Sequence, residues 1–278
     1  MSTGRHRDVV AASKGAPINR ALSKVPEVTA WFWIVKVLST AMGESISDYS
    51  VHRLNPYVAV FIGFVAFCVA IVAQFSVRRY ITWLYWTTVA MVAIFGTMVA
   101  DAMHVGLHIP YKVSATVFIV AVAVILVAWY ASEHTLSIHS ITTPRREFFY
   151  WATVVSTFAL GTATGDLMAQ TFHLGYFTSG VMFTALILLP AAAYRMGLNG
   201  VAAFWTAYIL TRPIGASFAD YLGFGHNVGG VGIGHEKVAL TTSLIFIALI
   251  AYLALTRKDM PATTTTAEPV QPGTKLRA

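Results

Sequence analysis

The sequence predicts an all-α integral membrane protein: eight transmembrane helices arranged as four parallel two-helix repeats around a pseudo-symmetric central cavity. Three observations predict it. Hydrophobic residues make up 56% of the 278 residues and the mean hydropathy is +0.65, too apolar for a soluble domain. Eight stretches approach the roughly 20 mostly apolar residues that a helix needs to cross the hydrocarbon core. One skeleton also returns four times: FWIVKVLSTAMGESISD (32–48), YWTTVAMVAIFGTMVAD (85–101), YWATVVSTFALGTATGD (150–166) and FWTAYILTRPIGASFAD (204–220). Each copy has an aromatic, then Trp, a Gly ten residues after the Trp and an Asp five after the Gly. Self-similarity at such a period dictates architecture.

The first 27 residues are polar, and they lack the apolar core and cleavage site of a signal peptide. They form a cytoplasmic N-terminal segment. The spans fall at roughly 28–48, 57–77, 81–102, 113–132, 148–168, 176–196, 200–221 and 238–256. One motif helix and one plain helix make up each of repeat 1 (28–80), repeat 2 (81–147), repeat 3 (148–198) and repeat 4 (199–257). The tail, 258–278, carries TTTT and scattered Pro and reads as disordered. Unbroken hydrophobicity without alternation favours a helical bundle over a barrel.

The formal charge of +7 is explained by topology. Arg5, Arg7, Lys14, Arg20 and Lys24 precede the first span, and Arg78, Arg79, Arg145, Arg146, Arg195, Arg257 and Lys258 follow the even ones. Only Arg53, Lys112 and Lys237 stand in the opposite loops. The positive-inside rule therefore places both termini in the cytoplasm, and no nucleic-acid partner is needed to explain the charge. Cys68 is the only cysteine, which excludes an intrachain disulfide, a CxxC motif, a thiolate zinc site and c-type haem attachment.

Two spans per unit give every copy the same direction through the membrane, so the repeats are parallel. Each Asp lies 15 residues after its Trp, about 22 Å along a helix. All four acids then sit at one depth in the outer part of the bilayer. A carboxylate facing lipid there costs on the order of 2–3 kcal/mol, so Asp48, Asp101, Asp166 and Asp220 are expected to converge on an outward vestibule. Like charges that close ask for a cation or protons. Gly43, Gly96, Gly161 and Gly215 are read as sites of close helix approach, and the aromatic–Trp pairs as interfacial anchors.

The copies differ in informative ways. Glu44, Thr97, Thr162 and Ala216 follow the four glycines, so repeat 1 has a second acid one turn before Asp48, on the same face. Arg212, two turns before Asp220, is expected to pair with Glu44 or Asp166, and Pro213 to kink its helix. Lys36 reads as a snorkelling residue. His52, His104, His108, His173, His226 and His235 lie on the outward side. Carboxylate plus imidazole suits Mn, Fe, Co, Ni or Zn. The candidate ligands are Asp48, Asp101, Asp166, Asp220, Glu44, His52, His104 and His108, supported by Arg212, Thr97, Thr162 and His173. Plain solvation of the loop His is the alternative.

GFGHNVGGVGIGH (223–235) lacks the strand-to-helix context of a phosphate cradle and reads as a flexible outer loop or lid ending in His226 and His235. On the cytoplasmic side, Glu133, His134 and His139 form either an inner ion station or a capping segment.

The fourfold [FY]W-x9-G-x4-D pattern, with TLSIHSI and FWTAYILTRPIGASFADYLG, resembles a family of bacterial inner-membrane proteins built from four tandem copies of a two-span repeat of unknown function. The resemblance covers residues 25–257 and implies a bacterial inner-membrane location and the two-span unit, but no reaction. The residues themselves favour a transporter of a divalent metal ion, manganese-like and exported, with protons as coupling ion. The alternatives are a b-type haem redox protein using His104 or His108 with His52 or His173, and a non-transporting scaffold. Haem is the less expected cofactor. No nucleotide loop, nucleophile elbow or hydrolase triad is present, so covalent catalysis and a nucleotide cofactor are not expected. The expected partners are the lipid bilayer, a small cation and protons.

Overall fold

The computed structural model describes residues 23–260. The readings of residues 1–22 as a polar cytoplasmic segment and of 261–278 as a disordered tail lie outside the described residues. Among those described, all regular structure is helical: α1 (Ala30–Arg53), α2 (Pro56–Ser76), α3 (Thr82–Asp101), α4 (Tyr111–Glu133), α5 (Pro144–Asp166), α6 (Tyr176–Leu186), α7 (Leu188–Arg195), α8 (Gly200–Gly223) and α9 (His235–Thr256). Each predicted span has its helix, but the sixth is divided between α6 and α7. Pro190 accounts for the division, because it has no N–H for the carbonyl of Leu186 and its ring crowds that carbonyl.

Among the described residues, five helices are long and apolar enough to cross a membrane: α2, α3 with the turn that follows it, α4, α6 with α7, and α9. They point to a membrane protein. The more polar α1, α5 and α8 bury their polar residues, among them Lys36, Glu44, Asp48, Asp166, Arg212 and Asp220.

The motif helices close a ring, α1 packing on α3, α3 on α5, α5 on α8, and α8 back on α1. Each plain helix covers the motif helix of the next repeat. Thus α2 packs on α3, α4 on α5, α6 on α8, and α9 returns to α1. Outward faces of the plain helices expose Phe61, Val65 and Val72 on α2, Val120, Val124 and Val127 on α4, and Leu240, Leu244 and Ile247 on α9. Such continuous apolar surface is what acyl chains accommodate.

Side-chain contacts follow the same order around the ring. The aromatic that precedes each Trp packs on the Trp of the next motif helix: Phe32 on Trp86, Tyr85 on Trp151, Tyr150 on Trp205 and Phe204 on Trp33, at centroid separations of 5.7, 5.6, 6.2 and 5.6 Å. Three of the four motif Trp residues are therefore packed inside the bundle rather than standing free at its rim, while Trp33 is half-buried. Trp86, Trp151 and Trp205 are buried, because ring-to-ring packing between helices removes far more apolar area from solvent than a position at the rim. The glycines make close approaches in the same cyclic order. A Cβ at Gly43 would overlap Ala93, at Gly96 Phe158, at Gly161 Arg212 and at Gly215 Thr40.

The inner faces recur at four-residue steps, close to the helical period. Lys36, Val89, Val154 and Tyr208 make one layer, Thr40, Ala93, Phe158 and Arg212 the next, and Glu44, Thr97, Thr162 and Ala216 a third, and every one of them is buried. These layers fill the axis beneath the acids. Lys36 accordingly does not snorkel: it is 1% exposed, its ammonium 3.8 Å from the Phe158 ring centroid and 4.3 Å from that of Tyr208, in cation–π contact.

At the end of the bundle away from the four Asp, a clasp ties the segments flanking the first and last helices to the bundle. Buried Asp259 accepts from Tyr80 and, at 3.3 Å, from Thr82, while Lys24 pairs with Glu147. Burial and the Asp259 carboxylate push the Tyr80 phenol above its ordinary range, so the hydroxyl keeps its proton and donates.

Candidate cation site

The end of the axis that carries the motif Asp residues brings together residues distant in sequence. The Gly-rich segment folds back on the end of α8, with Val231 N–H donating to Tyr221 O at 2.7 Å, Gly232 to Phe224 O at 2.8 Å and Ile233 to Leu222 O at 3.0 Å. Gly234 then takes φ +92°, a backbone conformation that glycine adopts without a Cβ penalty, and α9 begins at His235. The His235 ring sits edge-on to Phe224 at 4.6 Å and occupies the space that a side chain at Gly223 would need. So placed, it faces the acids.

One ligand atom each from Asp48, Asp220 and His235 lies within 4.8 Å of the other two. Among the described residues this is the one such group of metal-ligating side chains. His235 Nδ1 is 3.1 Å from Asp48 Oδ2, at an angle that makes no hydrogen bond. Asp220 Oδ1 and both His235 ring nitrogens are buried without a hydrogen-bond partner among the described residues. Unpaired buried polar atoms are costly. Ligands about 2.0–2.2 Å from one ion stand at most roughly 4.4 Å apart, so a shift of tenths of an ångström closes this group on a metal.

The remaining predicted ligands are placed differently. Asp166 is buried and Asp101 half-buried. Each ends its α-helix at a π-helical turn, Ala102–Gly106 or Leu167–Thr171, a feature frequent at functional sites. His104 stacks on Tyr111 at 3.5 Å, its Nδ1 2.9 Å from Ile109 O. His108 and His173 are exposed and occupy equivalent left-handed positions, φ 55° and 56°, which His tolerates better than most residues. His52 binds the Asp48 carbonyl at 2.6 Å through Nδ1, and its ring lies parallel to that of His235 at 6.4 Å. Where the vestibule was expected, Asp48, Asp166 and Asp220 are buried. An 880 Å³ groove is instead lined by Trp33, Leu136, Tyr194, Phe204 and Thr211, and it reaches none of the four Asp.

Four segments, 31–80, 84–135, 149–196 and 203–259, match the family described as Repeat of Unknown Function (DUF347). The chain belongs to this family. No curated protein and no solved structure matches it. Each DUF347 segment spans one motif helix and the plain helix after it.

Glu44 is held one layer below the Asp48–Asp220–His235 group. The two N–H groups of Arg212 Nη2 are shared among Glu44 Oε2 at 2.6 Å, Thr162 Oγ1 at 2.8 Å and Thr97 Oγ1, while Nη1 donates to Thr40 O at 3.0 Å. Of the two acids expected as partners for Arg212, Glu44 makes the ion pair. On the opposite side, Glu133 pairs with Arg146 at 2.8 Å, and Thr143 caps α5 at the Arg146 N–H. His139 turns to Glu27 at 3.5 Å, and the Thr143 cap fits the capping reading of this loop; among the described residues Glu133, His134 and His139 do not gather as metal ligands.

In sequence His235 was one of six outward-side His and the end of a Gly-rich loop, and nothing singled it out as a ligand because it lies outside the repeated motif. Lys36 carried a clearer signal. It aligns with Val89, Val154 and Tyr208, three residues after each Trp, an inner-face register.

Proposed function

We propose that this protein transports a divalent metal cation, manganese-like, across a bacterial inner membrane. The single observation that carries this reading is the buried Asp48–Asp220–His235 group with its unpartnered ligand atoms. In this account the chain crosses the bilayer eight times, with four parallel repeats around a pseudo-fourfold axis and both termini in the cytoplasm. The cyclic order of aromatic and glycine contacts supports the repeat arrangement, and the exposed apolar faces support the spans. Ionisable residues at membrane depth are rare and mark ion pathways. Two carboxylates and one imidazole make an oxygen-dominated set, which suits Mn2+ over softer ions.

The axis beneath the site is filled, so an ion reaching it from outside does not pass straight through. Passage requires the inner layers to part while the outer end closes, which is alternating exposure by movement of one set of helices against another. Asp101 and Asp166, at their π-helical turns, are further oxygen ligands along that route. Protons displaced from the acids are the coupling ion.

Reconstituted protein tests this. Vesicles containing the wild type are expected to accumulate Mn2+ under a proton gradient, and D48N and D220N are expected to remain folded and lose the flux. Equal flux from folded D48N, D220N and wild type would remove the acids from the pathway.

A further inference from the structure

The centre of the bundle presents a second arrangement that the outer site does not use. Four oxygens, Glu44 Oε2, Thr97 Oγ1, Thr162 Oγ1 and the Thr40 carbonyl, come from α1, α3 and α5 and converge on the guanidinium that α8 supplies. The two threonine hydroxyls also lie 3.1 and 3.3 Å from Glu44 Oε2. An all-oxygen shell from separate helices is a ligand set for a hard cation. Here Arg212 supplies the positive charge.

Several features make Arg212 a removable occupant rather than a fixed strut. Its guanidinium is held at Nη1 and Nη2, while its buried Nε has no partner among the described residues. Its stem passes through the notch left by Gly161. Pro213 follows immediately and cannot donate to the carbonyl of Ile209, and proline is where helices bend. α8 runs through Pro213 as one helix here; a bend there would withdraw Arg212 from the axis.

Glu44 is then a buried carboxylate without its cation, which is strongly unfavourable. We infer that Glu44, Thr97, Thr162 and the Thr40 carbonyl form a second cation station, filled by Arg212 in this conformation and by a sodium ion when Arg212 leaves. One carboxylate with neutral oxygens balances one positive charge; a divalent ion would leave an excess charge buried. The assignment rests on the transporter reading and adds a monovalent ion to it. Arg212 and Na+ exclude one another, so occupancy of this station reports which conformation the bundle holds.

The test is the thermal stability of full-length R212Q in detergent, followed by tryptophan fluorescence in NaCl and in choline chloride of equal ionic strength. R212Q is expected to be stabilised by Na+ alone, by about 1.4 kcal/mol per tenfold rise in Na+ above its dissociation constant. E44Q/R212Q, with no buried charge to balance, is expected to show no preference. If R212Q does not fold in choline, its recovery in NaCl is the same result. Identical behaviour of R212Q in the two salts, folded or not, overturns the station. Mn2+ binding by the wild type is a separate readout: its absence beside a Na+ effect in R212Q removes the outer site and leaves the station standing, and the converse removes the station alone.

Discussion

At Gly223 a single methyl group separates two accounts of His235. The Cβ of an alanine there would stand 2.5–2.8 Å from the His235 ring atoms, so the imidazole must move while the helices around it need not. If His235 is a metal ligand, G223A is expected to weaken divalent-ion binding at least about tenfold, the scale of disturbing the support of a metal ligand, with its melting temperature nearly unchanged. Calorimetric titration checks this, and unchanged affinity would separate His235 from the metal. Gly161 gives the opposite prediction. A methyl there meets the stem of Arg212 and Pro213, inside a filled layer, so G161A is expected to cost about 1–3 kcal/mol of stability, measured by denaturation in detergent.

The motif helices show how much was legible in the sequence. The Trp–Gly–Asp spacing gave four helices with their acids at one end, and the structure has those helices with three of the four acids buried. Burial of the Trp residues was not legible, because an aromatic at a helix end has the same sequence signature whether it faces headgroups or a neighbouring helix. The partner of Arg212 was narrowed to two acids by sequence and decided only by packing, since Glu44 and Asp166 lie on different helices. His235 was out of reach for another reason: it enters the site from a plain helix, by a turn at Gly234. The Glu44–Arg212 pair carries its own prediction. Either E44Q or R212A leaves one buried charge unbalanced and is expected to cost about 3–5 kcal/mol. E44Q/R212Q, neutral at both positions, is expected to recover most of the loss, and a double-mutant cycle measures the coupling.

At the scale of the whole molecule, the last helix and the segment after it return to the first two repeats. α9 packs on α1, and Asp259 accepts from Tyr80 and Thr82 beyond the end of α2. Removing the carboxylate with D259A leaves buried donors unpaired and is expected to cost about 1–3 kcal/mol, read as a lower melting temperature. The proposed topology places residue 227 outside and residue 199 in the cytoplasm. In a C68S background, N227C in intact cells is expected to react with a membrane-impermeant maleimide and N199C to react only after lysis; the reverse pattern would invert the protein.

The central claim is that Asp48, Asp220 and His235 hold a divalent cation. Titration of purified full-length protein with Mn2+, alongside D220N and H235A, tests it most directly. The account predicts binding by the wild type and a loss of at least about tenfold in each variant with the fold retained. Folded wild type that binds no Mn2+, or variants that bind it equally well, would contradict the account.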